Sequence, residues 1–417
     1  MTGTAKSTGT RPVRPLAIVL AGGEGSRMDV LTRERAKPAL PLAGGLQLID
    51  VSMSNLRHSG VEDVWLVVQY QARMLEDFAS NGRPWDLDRT IGGFRVVPPQ
   101  RGESEGRDGF ADGNADQLLR LRDEIAETGA EEVLVLSADH LYLLDLREVL
   151  ATHRRKEAEC TIVTCDLGPD RGPREAPHLT TVESNRLGRV TGTASKPDRP
   201  STSVVATEVF VYDTTALLEE LDRLLRSPHA EEVEDAADDM LPRLVERGRC
   251  FEHRMEGYWR DLGRPSTYLE AHRDLAAGDV GVLGRTDWPI LTRVGHSTPP
   301  RLHTTARFDR ALVGAGCDIH GEVTRSVLGP RVRVAEGARV SDSVLVGDTV
   351  VEPGAVVEWS VLDHRVSVGA GARVGAPPED ADAVEDDEVA LVGADSLIAP
   401  GAVLERGARL EPGTRAD

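Results

Sequence analysis

Short, continuous apolar runs alternate with helical patterns through the N-terminal part of the chain. The runs span residues 16–21, 64–68, 133–136 and 161–164. Runs of this length without alternating polar positions are typical of parallel strands buried on both faces. Between them, residues 114–128 and 144–158 carry leucine, isoleucine and valine at helical spacing. This alternation predicts a doubly wound α/β domain over residues 15–285, with ligands bound at the carboxyl ends of its strands.

Beyond residue 310 the apolar residues recur every six positions. The recurring positions are Leu328, Val334, Val340 and Val346; then Val350, Val356, Leu362, Val368 and Val374; and, after the acidic segment 379–388, Val392, Ile398, Leu404 and Leu410. A six-residue period is typical of hexapeptide repeats, in which each coil of a parallel β-helix holds about three units. We therefore predict a β-helix over residues 311–417. The segment 286–310 has no clear period and is predicted to be a linker.

The charge balance limits the partners of the protein. Its 417 residues have a formal net charge of −20, which argues against a nucleic-acid surface, since that needs a basic face. No apolar run approaches the roughly 18 residues that a membrane helix needs. Residues 1–14 lack the apolar core of a signal peptide and are predicted to be a disordered tail. We therefore expect a cytoplasmic protein without nucleic-acid or membrane partners, whose cysteines are free thiols.

A glycine-rich turn follows the first predicted strand, in the segment Leu20-Ala-Gly-Gly-Glu-Gly-Ser-Arg27. Glycine lets backbone N–H groups approach a phosphate or the edge of a base closely. The segment does not continue into the Gly-Lys-Ser/Thr of a Walker motif, but Arg27, Arg35 and Lys37 are close by in the sequence. Cations beside a glycine turn can neutralise a triphosphate, so this segment predicts a nucleotide site.

The same segment carries a family resemblance. The blocks 21–28 and 35–39 resemble the signature of the bacterial ADP-glucose pyrophosphorylases, also called glucose-1-phosphate adenylyltransferases. Similar blocks return at 113–116, 138–142 and 258–263, so the resemblance covers nearly the whole chain. It implies a Rossmann-like nucleotidyltransferase domain followed by a left-handed β-helix. It also implies the reaction of ATP with α-D-glucose 1-phosphate to give ADP-glucose, a glycogen precursor, and pyrophosphate.

The resemblance also implies roles for individual residues. Asp139 follows the predicted strand 133–136, where an active-site carboxylate belongs, and together with Asp261 it would hold Mg²⁺, which commonly uses one or two carboxylates. Arg27 and Lys37 would neutralise the phosphates beside Asp139, and Lys196 would bind the phosphate of the sugar. The residues expected to frame the nucleotide are Gly22, Gly23, Gly25, Gln69 and Gly113.

The residues expected to bind the sugar depart from the family pattern. Leu179-Thr180-Thr181 stands where the family usually has Phe-Gly-Val, and Ser195 stands in place of a glutamate that accepts bonds from sugar hydroxyls. Glu208 replaces a glycine and could restore a carboxylate from another direction. These changes leave three alternatives open: glucose 1-phosphate, another sugar 1-phosphate, or a non-catalytic regulatory paralogue with the same fold.

The β-helix has two readily distinguished interpretations. Hexapeptide β-helices occur in acyltransferases, which usually place a catalytic histidine in or beside a coil. His320 and His364 are the only histidines after residue 310, and neither lies in a recognisable acceptor motif, so we expect surface or turn residues. We expect the β-helix to serve assembly instead, in a homo-oligomer that is a tetramer or a dimer.

Overall fold

The computed structural model describes residues 14–23, 25–90, 92–98, 111, 113–228, 233–278, 280–293, 295 and 297–417. Of the predicted tail 1–14, all residues except Arg14 lie outside this described part. The strands of the N-terminal domain are β1 Leu16–Ala21, β2 Pro41–Leu42, β3 Leu46–Gln47, β4 Asp63–Val68, β5 Gly93–Val97, β6 Glu132–Ser137, β7 His140–Tyr142, β8 Cys160–Asp166, β9 Thr180–Ser184, β10 Val190–Ser195, β11 Val204–Asp213, β12 Cys250–Arg254 and β13 Trp259–Asp261. Its helices are α1 Leu48–His58, α2 Ala72–Ala79, α3 Asn114–Arg120, α4 Arg122–Thr128, α5 Leu146–Arg155, α6 Gly168–Glu175, α7 Thr214–Leu225, α8 Ala236–Asp239, α9 Leu241–Glu246 and α10 Pro265–Ala277.

The central sheet is mixed and has apolar cores on both faces. Its main path runs β10-β9-β11-β6-β1-β4-β5, with β5, β4, β1 and β6 parallel and β11 antiparallel to β6. Within β1, Ala17 and Val19 pack into one core, whereas Leu16 and Ile18 pack into the other. Both sides of the strand are covered, which explains why it reads as a continuous apolar run. The predicted doubly wound domain is confirmed.

The predicted helices are present, with one interruption. The pattern over residues 114–128 forms two helices, α3 and α4, which meet at Leu121. Leu121 adopts φ −97° and ψ 1°, a conformation outside the helical region, so the chain turns there while its leucines still face the core. The pattern over 144–158 forms α5 as one helix.

The C-terminal domain is a parallel β-helix with three faces. Its strands are β14 Arg301–Leu302, β15 Arg307–Asp309, β16 Leu312–Val313, β17 Asp318–Ile319, β18 Glu322–Thr324, β19 Val327–Leu328, β20 Arg333–Val334, β21 Arg339–Ser341, β22 Val344–Leu345, β23 Val350–Val351, β24 Val356–Glu358, β25 Ser360–Leu362, β26 Ser367–Val368, β27 Arg373–Val374, β28 Ala390–Val392, β29 Leu397–Ile398, β30 Val403–Leu404, β31 Arg409–Leu410 and β32 Arg415–Ala416. They form three all-parallel sheets of seven, six and six strands. This is the architecture that the hexapeptide period predicts for a left-handed β-helix.

The period inside the β-helix differs in detail from the predicted one. Leu328 pairs with Leu345, and Leu345 pairs with Leu362, so successive coils here are offset by 17 residues rather than 18. The interior positions of β22, β23 and β24 are Leu345, Val351 and Val357, whereas the count of six predicts Val346, Val350 and Val356. One side of such a coil has five residues instead of six, so a search for a constant six-residue period misplaces the interior positions that follow it.

The β-helix also begins earlier than residue 311. Strands β14 and β15 lie inside the segment 286–310 that was predicted to be a linker. They form the outermost coil, which has a neighbour on one side only, and its Leu302 and Phe308 are exposed. An uncovered coil does not need the full apolar period, which explains why the pattern is not visible there.

One face of the β-helix packs against the N-terminal domain. Along this face, strands carry two successive apolar residues, as in Val327-Leu328 and Val344-Leu345. The second residue of each pair points into the β-helix, whereas the first joins the core of the N-terminal domain. The two domains therefore share a continuous apolar interface, which brings residues of the β-helix next to the N-terminal loops.

Two expectations from composition can be compared with the fold. Cys160, Cys165, Cys250 and Cys317 are free and buried, which confirms the prediction of free thiols. Among the described residues, no helix is long and apolar enough to cross a membrane.

Candidate active site

The glycine turn after β1 is held in place by its neighbours. Gly25 has φ 71°, a left-handed conformation that glycine adopts without steric cost. The hydroxyl of Thr32 donates a hydrogen bond of 2.9 Å to the carbonyl oxygen of Gly25. A methyl group on Gly22 would lie 2.9 Å from Cγ of Gln69, so a larger residue there would have to displace the Gln69 side chain. The turn thus has a defined shape, as close approach to a ligand requires.

Asp139 and Asp261 come together through a short antiparallel pair of strands. Asp139 lies two residues after the end of β6, while Asp261 ends β13, and β13 pairs with β7 so that Asp261 lies opposite His140. The N–H of Leu262 donates to the carbonyl oxygen of Asp139 at 3.2 Å. Two carboxylates that are distant in the sequence are therefore neighbours at the carboxyl end of the sheet, as the sequence predicts.

Lys37 places its ammonium group between these carboxylates. Its Nζ donates a hydrogen bond to Oδ2 of Asp139 and lies 3.9 Å from Oδ1 of Asp261. Burial by itself lowers the pKa of Lys37, but the two carboxylates outweigh it, so that the pKa lies above its ordinary value. Burial likewise raises the pKa of Asp139, yet Lys37 and His140 hold that pKa well below its ordinary value. The ammonium and the Asp139 carboxylate are both charged at neutral pH.

A second layer of groups orients the two carboxylates. The hydroxyl of Ser137 donates to Oδ1 of Asp139, and the N–H of Gly263 donates to Oδ1 of Asp261 at 2.7 Å. Nε2 of His140 lies 3.3 Å from Asp139 and 3.7 Å from Asp261, while its Nδ1 contacts the carbonyl oxygen of Thr207 at 3.0 Å. Burial lowers the pKa of His140, but Asp139 and the other nearby carboxylates raise it overall.

The carboxylates could hold a divalent cation. One ligand atom each from Asp139, His140 and Asp261 lies within 4.8 Å of the others. Two adjacent carboxylates, each oriented by a hydrogen-bond donor, suit a hard cation that takes its remaining ligands from water and phosphate. The donor set therefore fits a divalent metal ion.

A cavity of about 320 Å³ connects these elements. The predicted site residues that line it are Gly22, Gly23, Gly25, Arg27, Lys37, Gly113, Asp139 and Glu208. Gln69 and Asp261 lie directly behind this lining, in contact with Gly22 and beside Gly263 respectively. Glu208 reaches the cavity from an irregularity in β11, between Ala206 and Phe210, where it has φ 54°.

Two predicted sugar-phosphate residues do not line this cavity. Ser195 ends β10 opposite Thr180, and its neighbour Lys196 is an exposed residue with φ 42°. The backbone N–H of Lys196 donates to the carbonyl oxygen of Leu179 at 3.1 Å. The structure thus joins Ser195 and Lys196 to the altered segment 179–181, and neither residue is among those that line the cavity.

The sequence motifs predict no role for several residues of the site. His140, Ser137 and Gln117 were among them, although His140 contacts both carboxylates and Gln117 lines the cavity beside Gly22. His140 immediately follows Asp139 in one of the recognised blocks, and this adjacency was an available signal. Ser137 and Gln117 lie in ordinary strand and helix patterns, so only the fold reveals them.

The fold and this site are those of a nucleotidyl transferase. The nucleotidyl transferase family matches residues 16–278, and the GlmU-like C-terminal hexapeptide family matches residues 300–392. A glucose-1-phosphate adenylyltransferase of Bacillus cereus (strain Q1) is 34% identical over 356 residues, which cover 85% of this chain and 91% of that protein. Proteins of the same name from Bacillus thuringiensis (strain Al Hakam) and Bacillus anthracis are 33% identical with the same coverage. The chain belongs to the glucose-1-phosphate adenylyltransferase family of nucleotidyl transferases.

Proposed function

We propose that this protein joins ATP to α-D-glucose 1-phosphate, giving ADP-glucose and pyrophosphate for the synthesis of glycogen or a related α-glucan. The observation that carries the proposal is the convergence of Lys37, Asp139 and Asp261 beside the glycine turn. The names of the relatives favour glucose 1-phosphate and an adenylyl group. Phosphates bound in this cleft would meet cations and oriented carboxylates at one point.

The reaction is an in-line displacement. A phosphate oxygen of the sugar 1-phosphate attacks the α-phosphorus of the nucleotide, and the bond from that phosphorus to the oxygen of the pyrophosphate group breaks. The nucleophile is already an anion, so no general base has to remove a proton. The protein contributes positioning and charge neutralisation, with Arg27 and Lys37 assigned to the phosphates of the nucleotide.

Asp139 and Asp261 are assigned to Mg²⁺. When bound, the ion supplies positive charge to the phosphate oxygens. Ser137 and the N–H of Gly263 keep the two carboxylates aimed at a common point. In the free protein, Lys37 neutralises the same carboxylates, which allows two aspartates to approach each other without strong repulsion.

The nucleotide is assigned to the glycine-rich side of the cavity. Gly22, Gly23 and Gly25 line it from the turn, and Gly113 lines it from the start of α3. A methyl group on Gly113 would overlap the carbonyl oxygen of Glu234, so a larger residue would displace this wall. Gln69 contacts Gly22 from the end of β4, and we assign it to the edge of the base.

The sugar phosphate is assigned to Lys196, Ser195 and Glu208. Glu208 lines the cavity, whereas Ser195 ends β10 and Lys196 follows it, both outside that lining. The altered segment 179–181 and the exposed position of Lys196 specifically favour a second candidate, in which the same centre accepts a different sugar 1-phosphate or binds nucleotide without turnover.

An assay of pyrophosphate release tests these functions. Purified protein is supplied with Mg²⁺ and with each pair drawn from ATP, GTP and dTTP and from several hexose 1-phosphates, while nucleotide binding is measured separately. Release with ATP and glucose 1-phosphate as the best pair supports the proposal, and release with another sugar supports the second candidate. If nucleotide binds and no pair reacts, the enzymatic function is rejected.

The assembly and location of the protein are also proposals. We assign it to a homo-oligomer, a tetramer or a dimer, because the open ends of a β-helix are strand edges that gain from being covered. We assign it to the cytoplasm, since nucleoside triphosphates and sugar phosphates are its proposed substrates. Light scattering at several concentrations measures the oligomeric state directly.

A further inference from the structure

Two histidines and an aspartate cluster on the outer surface of the first coils of the β-helix. Nε2 of His303 lies 2.8 Å from Oδ1 of Asp318, and Nε2 of His320 lies 3.8 Å from the same oxygen. The two imidazole rings are stacked, with centroids 3.6 Å apart and planes inclined by 13°. One ligand atom from each residue lies within 4.8 Å of the others. None of the three lines the active-site cavity.

The parallel register of the β-helix creates this arrangement. Leu302 in β14 pairs with Ile319 in β17, so the following residues, His303 and His320, lie side by side on adjacent coils. The backbone of each histidine is fixed by the next coil, since the N–H of His303 donates to the carbonyl oxygen of Ile319 and the N–H of His320 donates to that of Val334. Asp318 and His320 flank an inward-pointing residue and therefore share the outer face. Rigid strands thus bring three metal-ligating side chains together.

The electrostatics of the cluster suit a cation that is held by nitrogen and oxygen. Asp318 lies beside both imidazoles, with its Oδ1 2.8 Å from Nε2 of His303 and 3.8 Å from Nε2 of His320. Neutral imidazole offers a lone pair to a metal, and the carboxylate supplies the negative charge. Arg301, which pairs in register with Asp318, adds a positive charge that opposes binding.

We propose that His303, Asp318 and His320 form a site for a late first-row divalent metal ion of the zinc type. Two imidazoles and one carboxylate select such ions over Mg²⁺ or Ca²⁺, which prefer oxygen ligands alone. The exposed imidazoles turn out of their stacked position so that both lone pairs point at the ion, and water completes the coordination. The bound ion links the outermost coil, which is covered on one side only, to the coil beneath it.

Calorimetric titration of the full-length protein with Zn²⁺ tests the site. Excess Mg²⁺ is present so that the Asp139–Asp261 centre is occupied. We expect one saturable zinc site per chain that is weakened roughly ten-fold or more in each of His303→Ala, His320→Ala and Asp318→Asn. Arg301→Gln, a matched change on the same face, keeps the site or tightens it. Zinc also raises the Tm of the wild-type protein but not that of His320→Ala.

Two results would overturn the proposal. One is the absence of saturable zinc binding in the wild-type chain. The other is binding with the same stoichiometry and affinity in the His303→Ala/His320→Ala double variant. All three ligands are on the surface, so these variants are expected to fold, and pyrophosphate release in Mg²⁺ alone checks that they do.

Discussion

At the scale of single residues, charge compensation dominates the site. Lys37 is 7% exposed, and a buried ammonium persists only with close anionic partners. Asp139 and Asp261 provide them, while Lys37 in turn reduces the repulsion between the two aspartates. The three groups therefore depend on one another, and substrate phosphates would enter a site that is already charged and oriented.

Asp139→Asn removes one anion of this centre while keeping its shape. We expect pyrophosphate release to fall about 10²–10³-fold, the usual effect of removing one electrostatic contact to the transition state. Circular dichroism should be unchanged, because the amide still accepts a hydrogen bond from Ser137. Asp170→Asn, an exposed aspartate in α6, is the matched control. Full turnover in Asp139→Asn would remove Asp139 from the mechanism.

Lys196→Ala tests the sugar-phosphate assignment. Loss of a charge-assisted bond of about 1.5–3 kcal/mol corresponds to a rise of about 10–100-fold in KM for the sugar phosphate. We expect kcat and the KM for the nucleotide to change much less. Arg199→Ala removes a nearby exposed cation of the same loop and controls for a general charge effect. An unchanged KM in Lys196→Ala contradicts the assignment.

At the scale of elements, buried contacts connect α10 to the loops around the site. Within α10, Nδ1 of His272 donates to the carbonyl oxygen of Tyr268 at 2.8 Å, and its Nε2 accepts from the N–H of Ala43 at 3.3 Å. This pattern requires a neutral imidazole. Burial lowers the pKa of His272 to about 4, so protonation opposes folding.

The buried histidine predicts a pH dependence of stability. Between pH 6.5 and pH 4 the unfolded chain binds a proton at His272 that the folded chain does not, so stability is lost as pH falls through this window. Urea denaturation gives the free energy of unfolding of wild type and of His272→Gln. We expect the difference between the two, in favour of wild type, to decrease by about 2 kcal/mol between pH 7.5 and pH 5. Burial raises the pKa of Asp50 to about 6, so this group makes the folded state more stable as the pH falls. Asp50 is present in both wild type and His272→Gln, so its effect cancels in the difference between them. A pH-independent difference would contradict this argument.

Close contact between neighbouring coils of the β-helix predicts that a larger residue at Gly329 lowers the stability of the protein. A methyl group on Gly329 would overlap the carbonyl oxygen of Val346 in the next coil, and a backbone atom cannot rotate away. We expect Gly329→Ala to destabilise the protein by about 3 kcal/mol, measured by chemical denaturation. Gly45→Ala, where no atom lies within 4 Å of the added carbon, should change stability by less than about 0.5 kcal/mol. Equal effects would show that coil spacing does not matter.

At the scale of the whole molecule, ion pairs join the β-helix to the loops of the N-terminal domain. Arg35 donates to both oxygens of Asp363 at 2.7 and 2.9 Å, and the two side chains are 8% and 3% exposed. Asp386, in the acidic segment 379–388, accepts from the hydroxyl and the N–H of Ser266 at the start of α10. The acidic segment 379–388, which interrupts the hexapeptide period, therefore contributes contacts between the two domains.

Asp363→Ala tests this connection. Leaving Arg35 buried without its partner should cost about 3–5 kcal/mol in the free energy of unfolding. Arg35 is two residues before Lys37, so we also expect a higher KM for the nucleotide. Asp395→Ala breaks a similar pair with Arg365 that is half exposed and should cost less than about 1 kcal/mol. Equal losses in the two variants would mean that the buried pair has no special role.

Local pattern predicted four strands and two helical segments of the N-terminal domain, the repeats of the β-helix and part of the site. Largely apolar runs identified β1, β4, β6 and β8, because a strand covered on both faces has few polar positions. The glycine turn was recognisable because its conformation at Gly25 and its contact at Gly22 require glycine. The 17-residue coil and the first coil were missed, since a shortened side and an uncovered end both break a six-residue count.

The sequence by itself determined the two architectures and the set of charged groups, because periodicity and residue type are local properties of the chain. Only the tertiary structure decided which of these groups meet. The pairing of β13 with β7 places Asp261 beside Asp139, and the packing of the β-helix brings Asp363 to Arg35. The same holds for Ser195 and Lys196, which lie outside the cavity lining although the resemblance assigns both to the sugar phosphate. Contacts between segments separated by a hundred residues or more depend on strand register and domain packing. Neither produces a repeating pattern in the sequence.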